Sequence, residues 1–247
     1  METSKDLNAN SGIYKFPRTK HLSNILKSAT RDDLIMTKEE INNFLGVELT
    51  ITEKCDGANL NFTIDKDYNI RIQNRSHFVT SKDGEQFKIL DKWVNDHKEA
   101  LYSILDPPET KVLYGELVYI KHSIEYTKLP DYFLAFDLYN IKEKTFMSYD
   151  KLVELLSKTN IHIVPLISKI KIKKVEDLLP LVKSKSKYYD GEVEGIYIKI
   201  CDDNIVKNRA KLVRTDFLCG GEEGDNIIHW KKKQFVRNKL KEIEYDD

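Results

Sequence analysis

The sequence predicts an α+β fold, antiparallel strand clusters carrying surface helices, on three observations. Segments of two-residue apolar alternation come in groups, and stretches of helical periodicity lie between those groups. The 247 residues contain no internal repeat and no linker rich in Pro, Gly and Ser, which favours one domain over two. A chain of this length buries roughly 70 to 75% of its unfolded surface, so neither a metal nor a disulfide is needed to hold it together.

The elements follow in order. Residues 1–12 read as a polar leader, followed by the basic segment YKFPRTKHL at 14–22 and a helix opened by TKEE at 37 and running to Phe44. ELTITEK (48–54), NLNFTID (59–65) and NIRIQNR (69–75) alternate strictly and are separated by DG and DKDYN turn signals, which predicts an antiparallel meander. QFKILDKWVNDHKEALYSIL (86–105) has apolar residues at helical spacing and stops before DPPE. KVLYGELVY (111–119) and DYFLAFDLYN (131–140) read as buried strands, SYDKLVELLSK (148–158) and VEDLLPLVK (175–183) as helices, and EGIYIKI (194–200) and AKLVR (210–214) as strands. The domain is expected over 13–228, with 229–247 as a basic helical extension packed on it.

With 40% hydrophobic and 32% charged residues the composition is that of a folded chain rather than a disordered tail. Forty basic against 40 acidic side chains exclude a uniformly cationic coat, but a nucleic acid responds to the local patch. Two patches stand out: residues 169–187 hold seven lysines, and WKKKQFVRNKLK at 230–241 holds six basic residues and no acidic one. In the second, Trp230 and Phe235 are interleaved with Lys231, Lys232 and Arg237, a pattern that lets aromatics stack on bases while cations neutralise phosphates. Cys55, Cys201 and Cys219 are odd in number and lack CxxC spacing, which argues against a zinc ribbon and a secreted disulfide framework. METSKDLNANSG has no apolar core and no run of about 18 apolar residues occurs, so a cytoplasmic or otherwise intracellular protein without a membrane span is expected.

The strongest local signal is EKCDGANL at 53–60, at the exit of an apolar strand. A strand end holds the Lys54 amine rigidly, and Gly57 permits close backbone approach to a ligand. Asp-Gly is also a common hairpin turn. Two further strand-edge carboxylates, Glu116 in GEL and Glu194 in VEGIYIK, join Lys54 as candidates.

This order of motifs resembles the covalent nucleotidyltransferase superfamily of ATP-dependent ligases and capping enzymes. Lys54-Cys55-Asp56-Gly57 is similar to its KxDG motif, QNRSHF with Arg75 to the next, LYGELVY with Glu116 to the third, YFLAFDLY to the following aromatic strand, and EGIYIK with Glu194 and Lys199 to the fourth. Within the superfamily the nearest likeness is to RNA ligases of the bacteriophage RNA ligase 2 type. It is carried by Asn59, YKFPRTKHL, KLVRTDF and the terminal HW and RNKL, and extends over roughly 14–240. The fifth motif departs from the family: NRAKLVR pairs Lys211 with Arg209, or else with Arg214, where two lysines are usual. Arginine keeps the charge but does not readily donate a proton. The roughly 30 residues after KLVRTDF are too few for the C-terminal OB barrel of DNA ligases and capping enzymes.

The resemblance implies an ATP-grasp-like ligase adenylation fold, with antiparallel sheets walling an ATP cleft and no OB domain. It implies ATP with Mg²⁺ or Mn²⁺ as cofactors, and as substrate an RNA with 5′-phosphate and 3′-hydroxyl ends. A monomer is expected, working with an end-healing kinase and phosphatase. Lys54 would be adenylylated, and Asp56, Glu116 and Glu194 would hold the metal. Glu53, Gly57, Asn59, Arg75, Phe133, Lys199, Arg209 and Lys211 would contact the nucleotide, Phe133 by stacking on adenine, with Phe136 the other ring in that strand. Arg18, Asn59, Arg75, Arg214, Trp230, Lys231, Lys232 and Arg237 would contact RNA. Attack requires a neutral amine, so the Lys54 pKa is expected to be lowered from about 10.4 by metal, by a neighbouring cation or by burial. A ligase for nicked DNA or DNA–RNA hybrids, and an inactive nucleic-acid-binding module, are the alternatives.

Overall fold

A computed structural model describes residues 12–30, 33–215 and 235–242. All of the polar leader but Gly12, together with Cys219, Trp230, Lys231 and Lys232, lies outside the described residues. The strands are β1 (Glu48–Lys54), β2 (Ala58–Ile64), β3 (Ile70–Gln73), β4 (Lys111–Leu117), β5 (Phe133–Asn140), β6 (Thr145–Phe146), β7 (His162–Ile163), β8 (Leu166–Lys171), β9 (Gly195–Cys201) and β10 (Val206–Val213). The helices are α1 (Lys38–Asn42), α2 (Leu90–Leu105), α3 (Tyr149–Leu156) and α4 (Leu179–Val182).

These strands form two sheets. One has the order β10-β9-β1-β8 and is antiparallel throughout. The other runs β3-β2-β4-β5-β6, with β7 added parallel to β5. The expected meander is therefore half right. β2 and β3 do form a hairpin, Asn61 opposite Gln73 through Ile64 opposite Ile70, but β1 belongs to the other sheet. The Asp-Gly pair is a crossover between sheets and not a hairpin turn. Alternation shows which residues share a face; it does not identify the strand that pairs alongside, and β1 finds β9 about 140 residues away.

Each sheet buries its apolar face separately. α2 turns Leu90, Trp93, Ala100, Leu101 and Ile104 onto Phe62, Leu113, Phe133 and Leu138 of the second sheet, with Trp93 stacked 5.1 Å from Phe62. The first sheet packs Leu49, Ile51, Ile196, Ile198, Ala210 and Leu212 against Leu22, Phe44, Leu178 and Val182. α1 is short and begins on a capping box in which Thr37 and Glu40 satisfy each other's backbone N–H groups.

Two local expectations change, and one strand is added. The helix over 175–183 is a 3₁₀ turn (Val175–Leu178) followed by α4, because Pro180 offers no N–H within it. LISKIK at 166–171, which overlaps the start of the first lysine patch, is the edge strand β8. The helical extension is absent from 235–242, which run extended: Arg237 bridges Ile120, Leu240 bridges Leu129, and buried Asn238 caps Tyr126 N and Val118 O. Neighbouring backbone groups at 119, 126 and 129 are open to pairing there, and a helix could not use them. Among the described residues, no helix is long and apolar enough to cross a membrane.

Candidate active site

Lys54 is the last residue of β1 and faces Gly195 across the ladder. A Cβ at Gly195 would meet the Leu212 carbonyl at 2.3 Å, so only glycine allows β9 and β10 this close beside the nucleophile candidate. The chain then crosses to the second sheet in three residues. A Cβ at Gly57 would lie 2.5 Å from the Leu117 carbonyl. Gly57 thus lets the crossing chain approach the backbone at the end of β4.

The Lys54 Nζ donates to both carboxylate oxygens of Glu194, each at 2.7 Å. Burial alone would lower its pKa, but Glu194, Glu116 and Asp56 outweigh burial and raise it. This reverses the expected downward shift, because the nearest charges are carboxylates and the cation expected to help is engaged elsewhere. Burial chiefly, with Glu194 and Asp56 adding repulsion against the pull of Lys54, lifts the Glu116 carboxyl to about 8. Burial raises Glu194 as well, against the opposing charge of Lys54.

Lys199 is that cation. It is 1% exposed, and its Nζ donates to Phe136 O at 2.7 Å and to Asp137 Oδ1 at 3.1 Å. Asp137, fully buried, accepts Arg209 Nη1 on its other oxygen at 2.9 Å. The Arg209 guanidinium lies over Phe146 at 4.0 Å and Phe16 at 4.8 Å. Arg209 therefore does not line the cleft, and Lys211 is the fifth-motif cation that does.

One cleft gathers Lys54, Asn59, Arg75, Glu116, Lys199, Lys211 and Arg18. Asn59 Oδ1 is buried there with no hydrogen-bond partner, an acceptor left over for an incoming donor. Several expectations move. Phe133 is 0% exposed in the core against Phe62 and Trp93, whereas Phe136 lines the cleft. A bulge at Tyr114/Gly115 leaves Phe136 without an opposite residue, so that both it and Asp137 turn to the cleft side. Asp56 accepts the Ser123 and Ile124 amides on one carboxylate oxygen and stands outside the lining of the cleft. Glu53 lines the cleft, and its carboxylate accepts Ser186 Oγ at 2.6 Å and so secures the 184–190 loop. Arg214 pairs with Glu192 at 2.6 Å, and Arg237 lies over Tyr119 at 5.5 Å.

Phe16, Thr19, Asp33, Val164 and Tyr197 line the cleft without having been singled out by sequence. Asp33 accepts Lys211 Nζ at 2.9 Å. Burial would raise its carboxyl, but Lys211 and the Thr30 N–H and hydroxyl hold it well below the usual carboxylate range. Tyr197 parity with Lys199 on β9 was a usable signal. Asp33 lies far from every motif and gave none.

Among the described residues no three His, Cys, Asp or Glu side chains converge as a metal cluster. Glu116 and Glu194 still offer hard oxygens beside Lys54. That suits Mg²⁺ or Mn²⁺, which keep waters and substrate phosphates and take one or two protein carboxylates.

Residues 47–213 match the family described as RNA ligase. Solved structures of a Naegleria gruberi RNA ligase are similar in fold. The structure with PPi is 19% identical with a TM-score of 0.62, one Glu→Ala mutant with ATP and Mn is 17% identical at 0.60, and another with AMP and Mn is 16% identical at 0.60. In each case the match covers 83% of this chain and 57% of that one, so this chain spans little more than half of the ligase it resembles. No curated protein sequence matches the chain significantly.

Proposed function

The chain belongs to the RNA ligase family, and from that premise we propose that it is an ATP-dependent RNA ligase working through a lysyl-AMP intermediate on Lys54. The observation that carries this reading is one arrangement: an amine at a strand end gripped by Glu194 at 2.7 Å, beside Glu116, in a cleft that also holds Lys199, Lys211 and Phe136.

In the first step the Lys54 Nζ attacks the α-phosphorus of ATP. One ammonium proton passes to Glu194, its nearest acceptor, and the neutral amine so formed makes the N–P bond as the bond to pyrophosphate breaks; a second N–H proton leaves with the pyrophosphate. Lys211, freed from Asp33 by a phosphate that competes for it, neutralises the charge developing on the phosphoryl oxygens, and Arg18 faces the same space. Glu116 and Glu194 would hold a divalent cation, which when bound supplies charge neutralisation on the phosphates. Phe136 stacks on adenine. AMP then passes to an RNA 5′-phosphate, and an RNA 3′-hydroxyl displaces it to seal the strand, with Asn59 and Arg75 meeting the RNA ends.

Intact-protein mass spectrometry after incubation with ATP and Mg²⁺ tests the covalent step. A gain of one AMP, absent with GTP or NAD⁺ and absent in Lys54→Ala, is the expected result. A GMP adduct would instead mean capping chemistry. No adduct with any nucleotide, after pyrophosphatase treatment and over a range of pH, would leave an inactive binding module. A panel of nicked RNA, DNA and hybrid duplexes then identifies the strand that is sealed.

The two aromatic rings of β5 give a second expectation. Phe136→Ala should weaken binding of a non-hydrolysable ATP analogue by about 1–3 kcal/mol, the usual value of one base–aromatic stack. Phe133→Ala should leave that affinity nearly intact in the folded fraction yet cost about 3–5 kcal/mol of stability, because it opens a cavity between Phe62 and Trp93. Titration calorimetry and thermal melting of the two variants read these separately, and equal effects in both assays would refute the assignment of Phe136.

A further inference from the structure

We propose that a single basic surface, built from three segments distant in sequence and carrying Lys128, Lys185, Lys187, Lys239 and Lys241, binds the phosphate backbone of the RNA and delivers it to Lys54; this rests on the ligase reading and names where its substrate is held. The three segments lie edge to edge through their backbones. Tyr188 O accepts the amides of Thr127 and Lys128, both at 2.9 Å. Lys239 N donates to Tyr126 O at 2.8 Å, Lys241 N to Leu129 O at 2.8 Å, and Leu129 N to Lys239 O at 3.1 Å. All five lysines on this composite ridge are exposed.

Their charges are left for a partner. Seven other lysines are met by carboxylates of their own neighbourhood: Lys20 by Glu40, Lys88 by Glu85, Lys92 by Asp96, Lys121 by Glu125, Lys151 by Glu154, Lys169 by Asp150 and Lys207 by Asp202. None of the five forms an ion pair among the described residues. Glu192 sits directly across the bridge from Lys185, yet it is taken by Arg214 at 2.6 Å. The carboxylate placed opposite Lys185 is thus committed elsewhere, and exposed Asp190 and Glu242 on the same segments form no ion pair with the five.

The ridge is fixed to the reacting centre from two sides. Ser186, between Lys185 and Lys187, donates to Glu53 at 2.6 Å, the residue before Lys54. The 121–130 loop gives its Ser123 and Ile124 amides to Asp56, two residues after Lys54, and the Tyr126 hydroxyl accepts the Asp56 amide at 2.9 Å. A strand lying on these lysines is therefore indexed to the nucleophile through short, rigid links. Phe235, 43% exposed at the start of the 235–242 segment, offers a ring on which an unpaired base can stack.

The test is fluorescence anisotropy of a labelled single-stranded RNA with a 5′-phosphate, titrated over a salt series. Three proteins are compared: wild type, the variant with all five lysines changed to Ala, and a control with the exposed Lys66, Lys82 and Lys142 changed to Ala. A lysine–phosphate contact on a single strand contributes about 0.7 to the slope of log K against log salt, so the five-lysine variant should lose about 3.5 of that slope and the control little. Lys54 adenylylation and the melting curve should match wild type, and replacing the five by Arg should restore the slope. An unchanged slope in the five-lysine variant, a control that loses as much per lysine, or a wild type that fails to bind the RNA overturns the proposal. If the five-lysine variant does not keep the wild-type melting curve, the pair Lys185→Ala and Lys187→Ala is read alone, with an expected loss of about 1.4. A wild type that binds RNA with this lysine dependence but forms no AMP adduct refutes the ligase reading and leaves the surface standing.

Discussion

Asp137→Ala is expected to cost about 3–5 kcal/mol of stability, because it strands two buried cations at once. Lys199 and Arg209 share this one carboxylate, 3.1 Å from one oxygen and 2.9 Å from the other, and Asp137 is fully buried. Lys199 would keep only the Phe136 carbonyl, and Arg209 only the rings of Phe16 and Phe146. For a domain of this size the loss corresponds to a fall in Tm of about 6–20 °C. The charge argument makes a sharper comparison possible. Asp137→Asn preserves the shape but not the charge and should also be strongly destabilised, whereas Asp137→Ala combined with Arg209→Met should recover part of the loss by removing one stranded cation. Differential scanning calorimetry decides it: a Tm within about 2 °C of wild type for Asp137→Ala would show that the two cations find other partners.

The rate of Lys54 adenylylation should keep climbing with pH up to and beyond the ordinary lysine pKa of about 10.4. The sign follows from the charges around the amine. Glu194, Glu116 and Asp56 favour the ammonium, so Lys54 is protonated across the physiological range, and each pH unit below its pKa raises the reactive neutral fraction tenfold. Glu194→Gln removes the anion that accepts both hydrogen bonds and should move the inflection to lower pH. It should lower the plateau as well, because the proton acceptor has gone. Single-turnover adduct formation, followed by mass spectrometry at saturating ATP and constant ionic strength, measures both. A wild-type inflection near neutrality that Glu194→Gln leaves in place would mean that ATP binding, not these carboxylates, sets the protonation of the nucleophile.

What could be read from the residues and what could not divide along a physical line. Every strand of seven or more residues was legible at least in part, because alternation is a local property, while β8 was not: Thr52 and Lys54 share a face in the sequence pattern and line the site in the structure. The order of Lys54, Glu116, Glu194, Lys199 and Lys211 along the chain also pointed to one site, and the structure brings the five together in or beside one cleft. Pairing was not legible. Nothing local separates β1 from the β2–β3 hairpin, and nothing local says that a bulge opposite Gly115 turns Phe136 and Asp137 to the same side. Arg209 shows the same limit. Its charge and place fitted the fifth motif, but its role is decided by a carboxylate 72 positions away that the strand register brings against it. The Phe16 and Asp33 walls of the cleft come from a segment whose placement depends on two isolated bridges, His21 with Lys211 and with Ile35, rather than on any periodic element.

The second sheet, β2 to β7, occupies an unbroken stretch of chain inserted between β1 and β8, two strands that lie side by side. This imposes an order on synthesis. Once residue 163 has left the ribosome every strand of that sheet exists, while β1 still waits for β8, β9 and β10. Lys54 is made early, but Glu194, Lys199 and Lys211 follow some 140 or more residues later, about 7–30 s at ordinary elongation rates of 5–20 residues per second. Throughout that interval the nascent chain carries all the strands of one sheet and a lysine without the neighbours that surround it in the finished protein. β9 brings Glu194 and Lys199 to β1, so a chain broken off before β9 holds Lys54 without the carboxylate that grips it and without the cleft cations Lys199 and Lys211.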